Sequence, residues 1–441
     1  MCDPDTIATV TGTISETVKC GGSGGSYTPF MNHNDRAVVL FTCVSHATLH
    51  TFELSIPILV VIWLLEFPVS TATLGTAVAV GYGLYGLGAL PGGMLADRYG
   101  SRRLIVGSQV CMVVAFLVLS FADGIVTIAG SLALWGLGAS VYHPSGLSLI
   151  STSVEDRGTA FAYHGMAGNI GIAFGPLLTA LLLVVFDWRV ASRVLVLPAM
   201  AAILFALRAE FDERAAASAD SGGAPTSLSE FVTKSRVLFT AGFTVAMLVV
   251  TMNGLFYRAS LTFLPEVLSG FLPNVTEVVQ LFGPESPLAE EFDLASYLYV
   301  GLLVIGIAGQ YVGGKVSDRL DPTTALAVVF SGLAVVTVTF APAARLGTAP
   351  LFAVSGLLGF LLFALQPLYQ TLIAEKSPEE TRGLSYGYTY LTNFGVGAGG
   401  AVLSGYLLSV ASVDETFLIL AVLPLVGAGL ALGLRRLPDA V

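Results

Sequence analysis

The sequence predicts an all-α integral membrane protein, with twelve transmembrane helices in two pseudo-symmetric six-helix bundles. Three observations carry that expectation: a composition too apolar for a water-facing surface, twelve long apolar windows, and short motifs that recur in the same order in both halves. Of 441 residues, 54% are hydrophobic and only 11% are charged, with a mean hydropathy of +0.80. A soluble domain carries about a quarter charged residues, so there is too little polar side chain here to cover a globule in water. That excludes an ordinary cytosolic enzyme. A net charge of −10 excludes a nucleic-acid binder, because phosphates would be repelled. The four cysteines, at 2, 20, 43 and 111, form neither a C-x-x-C pair nor a disulfide framework.

Polar stretches at 1–35, about 209–236 and about 269–292 divide the chain. Between them lie apolar windows long enough for spanning helices of about 20 residues. In the first half these fall at 37–64, 71–95, 103–121, 124–150, 158–185 and 188–208. The second half has them at 237–268, 293–316, 323–342, 348–374, 383–410 and 414–434. The strands of a membrane barrel would be alternating runs of about 10 residues, and these are far longer. The expected organisation is a disordered cytoplasmic tail (1–35), an N-terminal bundle (36–208), a cytoplasmic linker (209–236), a C-terminal bundle (237–434) and a short cytoplasmic tail (435–441). The first segment is rich in Gly and Ser and lacks a basic start followed by an apolar core, so no signal peptide is expected.

Orientation follows from the basic residues. Sixteen of the twenty Lys and Arg fall on the side shared by the termini and the linker, which the positive-inside rule makes cytoplasmic. Arg189, Arg193 and Arg345 fall outside, and Arg258 falls within a helix. The outer loop between helices 7 and 8 is acidic instead, with Glu277, Glu285, Glu290, Glu291 and Asp293. Within it Asn274-Val275-Thr276 fits a glycosylation acceptor.

The two halves echo each other. Asp97-Arg98 after helix 2 is answered by Asp318-Arg319 after helix 8, and Tyr142-His143-Pro144 in helix 4 by Leu365-Gln366-Pro367 in helix 10. Arg157-Gly158 is answered by Arg382-Gly383, and Pro57 by Pro265. All four pairs are separated by 208 to 225 positions, the mark of a tandem duplication of six-helix units. Bundles paired in this way place a binding site between them at the membrane midplane.

Over residues 37–434 the sequence resembles the major facilitator superfamily of transporters. The run Gly93 to Arg103 (G-x-L-A-D-R-Y-G-x-R-R) is similar to that family's loop between helices 2 and 3. A narrower resemblance, to fosmidomycin-resistance-like exporters, rests on Tyr142-His143-Pro144 and on Gly168-Asn169-Ile170-Gly171 leading to Gly175-Pro176. The antiporter signature of helix 5 is matched at Gly171, Gly175 and Pro176, while Thr179 and Ala180 stand where that pattern has glycines. In the second half Asp321-Pro322 interrupts the loop motif. The resemblance implies that glycine-rich helices 2 and 11 meet between the halves. It further implies that Asp97, Arg98, Arg102 and Arg103, with Asp318 and Arg319, form a conformational switch on the cytoplasmic side. Plain topology anchoring is the other reading for Arg102 and Arg103.

Helix 1 carries His46, His50 and Glu53, whose spacings of four and three put them on one face near mid-bilayer. Ionisable groups there are costly and face a cavity or a partner. Histidine exchanges its proton near neutral pH, so a proton relay is the first reading. Hydrogen bonding to neighbouring helices is the second. A divalent-metal site made by two imidazoles and a carboxylate is the third, and no metal or other cofactor is expected on balance.

His143 and His164 lie toward the cytoplasmic side of helices 4 and 5, and Pro144 frees the carbonyl of Ser140, which points to a local break. Arg258 needs an anion, either Glu53 or a substrate carboxylate or phosphonate, unless it snorkels outward. The expected substrate-binding set is His143, His164, Asn169, Asn253, Tyr257, Arg258 and Gln366. Two further runs mislead: Gly81 to Gly86 fits a dinucleotide motif but lies inside a membrane helix, and Gly309 to Lys315 fits a phosphate loop but is followed by Val316.

The expected function is therefore transport, not enzymology. A proton-coupled exporter of a small anionic or amphipathic organic compound is the first choice, with a proton- or sodium-coupled uptake symporter as the alternative. The expected partners are that small molecule, protons and the lipid bilayer of the cell membrane, with no nucleic acid; the chain is expected to be monomeric.

Overall fold

The computed structural model describes residues 31–216, 227–272, 294–378 and 381–436. The tail before residue 31, Asn274 and the acidic loop residues lie outside these segments. Among the described residues twelve helices are long and apolar enough to cross a membrane, and there is no strand. In the first half they are α1 (His33–Glu66), α2 (Thr71–Gly92), α3 (Ser101–Leu119), α4 (Ile125–Ser153), α5 (Arg157–Leu183) and α6 (Trp188–Arg208). In the second half they are α7 (Ala241–Thr262), α8 (Leu294–Ser317), α9 (Pro322–Arg345), α10 (Thr348–Glu375), α11 (Gly383–Val410) and α12 (Val413–Leu434).

Local chemistry sets several boundaries. Asn32 caps α1 by accepting the Asp35 amide at 2.8 Å, so the helix starts at His33, inside the segment read as tail. α4 is interrupted at Val141, three residues before Pro144, where the proline removes a donor from the ladder. The window read as helix 7 ends instead at Thr262, and a short helix, Leu264–Ser269, restarts with Pro265 in its first turn. α11 contains a π-helical turn at Leu391–Val396. The linker is not wholly irregular: a helix at Leu228–Leu238 is capped by Ser227, whose hydroxyl accepts the Glu230 amide.

Each half has its own apolar core, one built around Phe52, Phe116 and Trp135, the other around Phe243, Phe330 and Phe340. The halves meet where α2 packs on α11, α5 on α8 and α1 on α7. Glycine makes the first of these contacts possible: a Cβ at Gly86 would stand 1.9 Å from the Gly395 nitrogen.

Between the halves lies a cavity of about 880 Å³. Its walls reach Met94 just past α2, Thr152 at the end of α4, Phe161 at the start of α5 and Leu384 at the start of α11. Those ends all lie on the linker side, and the linker helix adds Phe231 and Lys234. At the opposite end the halves touch, for example where Thr71 Oγ1 donates to the Gly405 carbonyl at 2.8 Å. The molecule is therefore open toward the linker and closed away from it.

Candidate functional site

The inner end of the cavity is where the titratable side chains of α1 meet residues from four other helices. His50 and Glu53 are joined at 2.6 Å between Nδ1 and Oε2, a contact that i, i+3 spacing on one helix permits. The other Glu53 oxygen accepts from the Arg258 guanidinium on α7. This ion pair spans the two halves. Arg258 is 2% exposed, so the outward-snorkelling reading is overturned: its charge is satisfied inside the protein. Its guanidinium carbon lies 3.6 Å from the Tyr82 ring centre and 5.2 Å from that of Tyr257, and the Tyr82 hydroxyl donates to the Glu53 backbone carbonyl at 3.1 Å. Its Nε is buried without a partner.

From His50 a chain of imidazoles continues. His50 Nε2 lies 3.1 Å from His46 Nε2, which lies 3.2 Å from His143 Nε2. His46 Nδ1 donates to the His164 backbone carbonyl at 2.7 Å, and its ring stacks on that of His164 with centroids 4.0 Å apart. The break in α4 turns Tyr142 and His143 toward this point: Tyr142 Oη is 3.2 Å from His164 Nε2, and Tyr85 Oη is 3.0 Å from His143 Nδ1. Close packing of α5 on α1 is needed for this arrangement, since a Cβ at Gly168 would stand 2.5 Å from His46 Cε1.

The second half supplies amides. Asn253 Nδ2 donates to Asn393 Oδ1 at 2.9 Å, and Gln310 Nε2 donates to Gln366 Oε1 at 3.0 Å. Asn253 Oδ1 and Gln310 Oε1 are buried without partners. Asn169 and Tyr257 line the cavity as well. Of the expected proton-coupling and substrate-binding residues, all but Arg258 line the cavity, and Arg258 lies just beyond Glu53.

Sequence reasoning missed Tyr82, Tyr85 and Gln310. All three sit within the two runs set aside as misleading motifs. The available signal was the polar atom each carries inside an otherwise apolar spanning helix.

The residues expected to form a switch are not drawn together. The Arg102 guanidinium donates to the Ala206 carbonyl and lies 4.8 Å from the Phe211 ring centre, so it holds the start of the linker to the first half. Arg98 lies over Tyr99, and Arg103, Asp318 and Arg319 are exposed. The side chain of Asp97 lies outside what is described. The linker side is open, and that is the physical reason why charges expected to pair across it are apart.

Comparison with known proteins matches residues 42–401 to the model of the Major Facilitator Superfamily. The chain is 25% identical over 334 residues to the uncharacterized MFS-type transporter YfnC of Bacillus subtilis (strain 168), covering 74% of each. It is 24% identical over 317 residues to the fosmidomycin resistance protein of Escherichia coli (strain K12), covering 70% of this chain and 71% of that one. Among solved structures, the nucleoside transporter NupG superposes with a TM-score of 0.72 at 12% identity, over 91% of this chain and 100% of that chain.

Proposed function

The chain belongs to the Major Facilitator Superfamily, and from that premise we propose that it exports a small anionic or amphipathic organic compound in exchange for protons. It acts as a monomer in the cell membrane, with the linker and both termini in the cytoplasm. The similarity to a resistance protein supports export, and the basic residues of the linker side support the orientation.

One observation carries the coupling: a buried ion pair between the halves, Glu53 with Arg258, is wired through His50 and His46 to a cavity open on one side. A proton arriving at Glu53 removes the charge that holds Arg258, and the tie between α1 and α7 weakens. The halves then part at the closed end and meet at the open end, which is alternating access. In this reading Arg98, Arg103, Asp318 and Arg319 act as the switch, pairing across the linker side as it closes.

Proteoliposomes with an imposed pH gradient test this. Substrate should move against the proton flux, and His50→Ala combined with Glu53→Gln should abolish the dependence on the gradient. Unchanged pH-driven flux in that variant would overturn the coupling. The antiporter signature is broken at Thr179, whose hydroxyl donates to Ser55 at 2.7 Å, and this favours uptake symport as a second reading. Substrate moving with the protons would establish it.

A further inference from the structure

We propose that the meeting point of His46, His50 and His143 is a binding site for a first-row divalent transition-metal ion of the cobalt, nickel or zinc kind. The three Nε2 atoms converge from two helices. His46 Nε2 lies 3.1 Å from His50 Nε2 and 3.2 Å from His143 Nε2, and one ring nitrogen from each of the three residues lies within 4.8 Å of the other two. Zinc bound at 2.0–2.1 Å by tetrahedral ligands holds neighbouring nitrogens about 3.3 Å apart, so two of the three spacings already suit an ion.

The outer nitrogens make the same case independently. A carboxylate and a carbonyl only accept hydrogen bonds, so His50 Nδ1 facing Glu53 and His46 Nδ1 facing the His164 carbonyl both carry hydrogen. In neutral rings the Nε2 atoms then present bare lone pairs to each other at 3.1 Å. Such pairs repel, and a cation between them turns the repulsion into coordination. His143 Nδ1 has Tyr85 Oη at 3.0 Å, so all three rings have the outer partner that orients a metal-ligating histidine.

The donor set is all nitrogen, because Glu53 is committed to Arg258 and to His50 Nδ1. That suits imidazole-preferring ions and not calcium or magnesium, which take oxygen. All three residues line the cavity, which leaves the remaining coordination positions facing open space. The ion takes the lone pairs that the proposed proton path uses, yet its binding does not depend on transport and is read without it.

The experiment uses the full chain, purified in detergent with a histidine-free tag, stripped with chelator and titrated with Co²⁺. We expect one equivalent to bind with visible absorption bands and to be displaced by one equivalent of Zn²⁺. His143→Gln and His50→Gln should each weaken binding at least tenfold. Tyr85→Phe keeps all three ligands and should weaken it about 10–100-fold. His33→Gln, at the exposed start of α1, should bind like the parent chain. Absence of saturable Co²⁺ binding in the parent chain would overturn the site. So would parent-like affinity in His143→Gln or, should that variant fail to elute as a folded species, in Tyr85→Phe. Failure of proton-driven transport would bear on the coupling alone.

Discussion

Glu53 serves two partners through its two oxygens, the Arg258 guanidinium, which must keep its counter-charge, and His50 Nδ1. Removing one partner of a buried pair leaves the other charge stranded, at a cost of about 3–5 kcal/mol, whereas an apolar replacement of both is often nearly neutral. Glu53→Leu should therefore lower the melting temperature markedly, and adding Arg258→Met should restore most of the loss while transport stays absent. Thermal melting in detergent checks this, and additive destabilisation in the double variant would mean that the two residues are not a pair in solution. A second residue-scale outcome concerns packing. Gly168→Ala places a methyl 2.5 Å from His46 Cε1, against a ring already held by His164. The ring has to leave the junction, so gradient-driven flux should fall while the protein still elutes as a folded species. Parent-like flux would remove His46 from the coupling path. At this scale the sequence was partly legible. Spacings of three and four placed His46, His50 and Glu53 on one face, and Glu53 was one of two anions offered to Arg258. His143 stands 97 positions from His46, and no local rule brings such residues together.

Elements differ in how openly the sequence announces them. Pro144 announced the break in α4, since a missing donor is a local property. Ser227 followed by Glu230 is a local signature of a helix start, and it lay unread inside a segment judged by its polarity alone. The π-helical turn of α11 has no such signature. It lies where the Asn393 carbonyl oxygen would be 2.4 Å from a Cβ on Gly254 and where Phe394 stacks on Tyr85 at 4.6 Å, so its causes lie on α7 and α2. The linker helix is tied down the same way. The Tyr388 hydroxyl donates to Ser235 Oγ at 2.9 Å, and the Phe239 ring meets that of Tyr388 edge-on at 4.8 Å. Tyr388→Ala removes both contacts. It should raise hydrogen exchange across 228–238 without raising it in α11 beyond the substituted turn. Exchange rising equally through α7 and α11 would show a general loosening and not the release of one helix.

Each half has its own core, and the proposed transport cycle requires the contact surface between them to exist in two versions, of which the one described here is closed at the end away from the linker. A wedge placed only in that contact should favour the other version. Gly75 on α2 is suited to it, because a Cβ there would stand 2.4 Å from the Ala401 carbonyl oxygen and 3.2 Å from the Phe263 ring. Backbone cannot yield as a flexible side chain does, so Gly75→Val penalises the closed end by the cost of overpacking, about 1–3 kcal/mol. A penalty confined to one state shifts the equilibrium by roughly 5–150-fold. Two single cysteines, in a chain whose four native cysteines are replaced by alanine, report the two ends. Ser148→Cys lines the cavity toward the linker, and Thr71→Cys sits at the closed end, where Thr71 meets Gly405 of the other half. Gly75→Val should slow maleimide labelling at 148 and quicken it at 71, because one rocking motion buries the first site as it uncovers the second. Faster labelling at both would mean that the wedge had loosened the protein, and slower labelling at 148 with 71 unchanged would mean that the ends are not coupled.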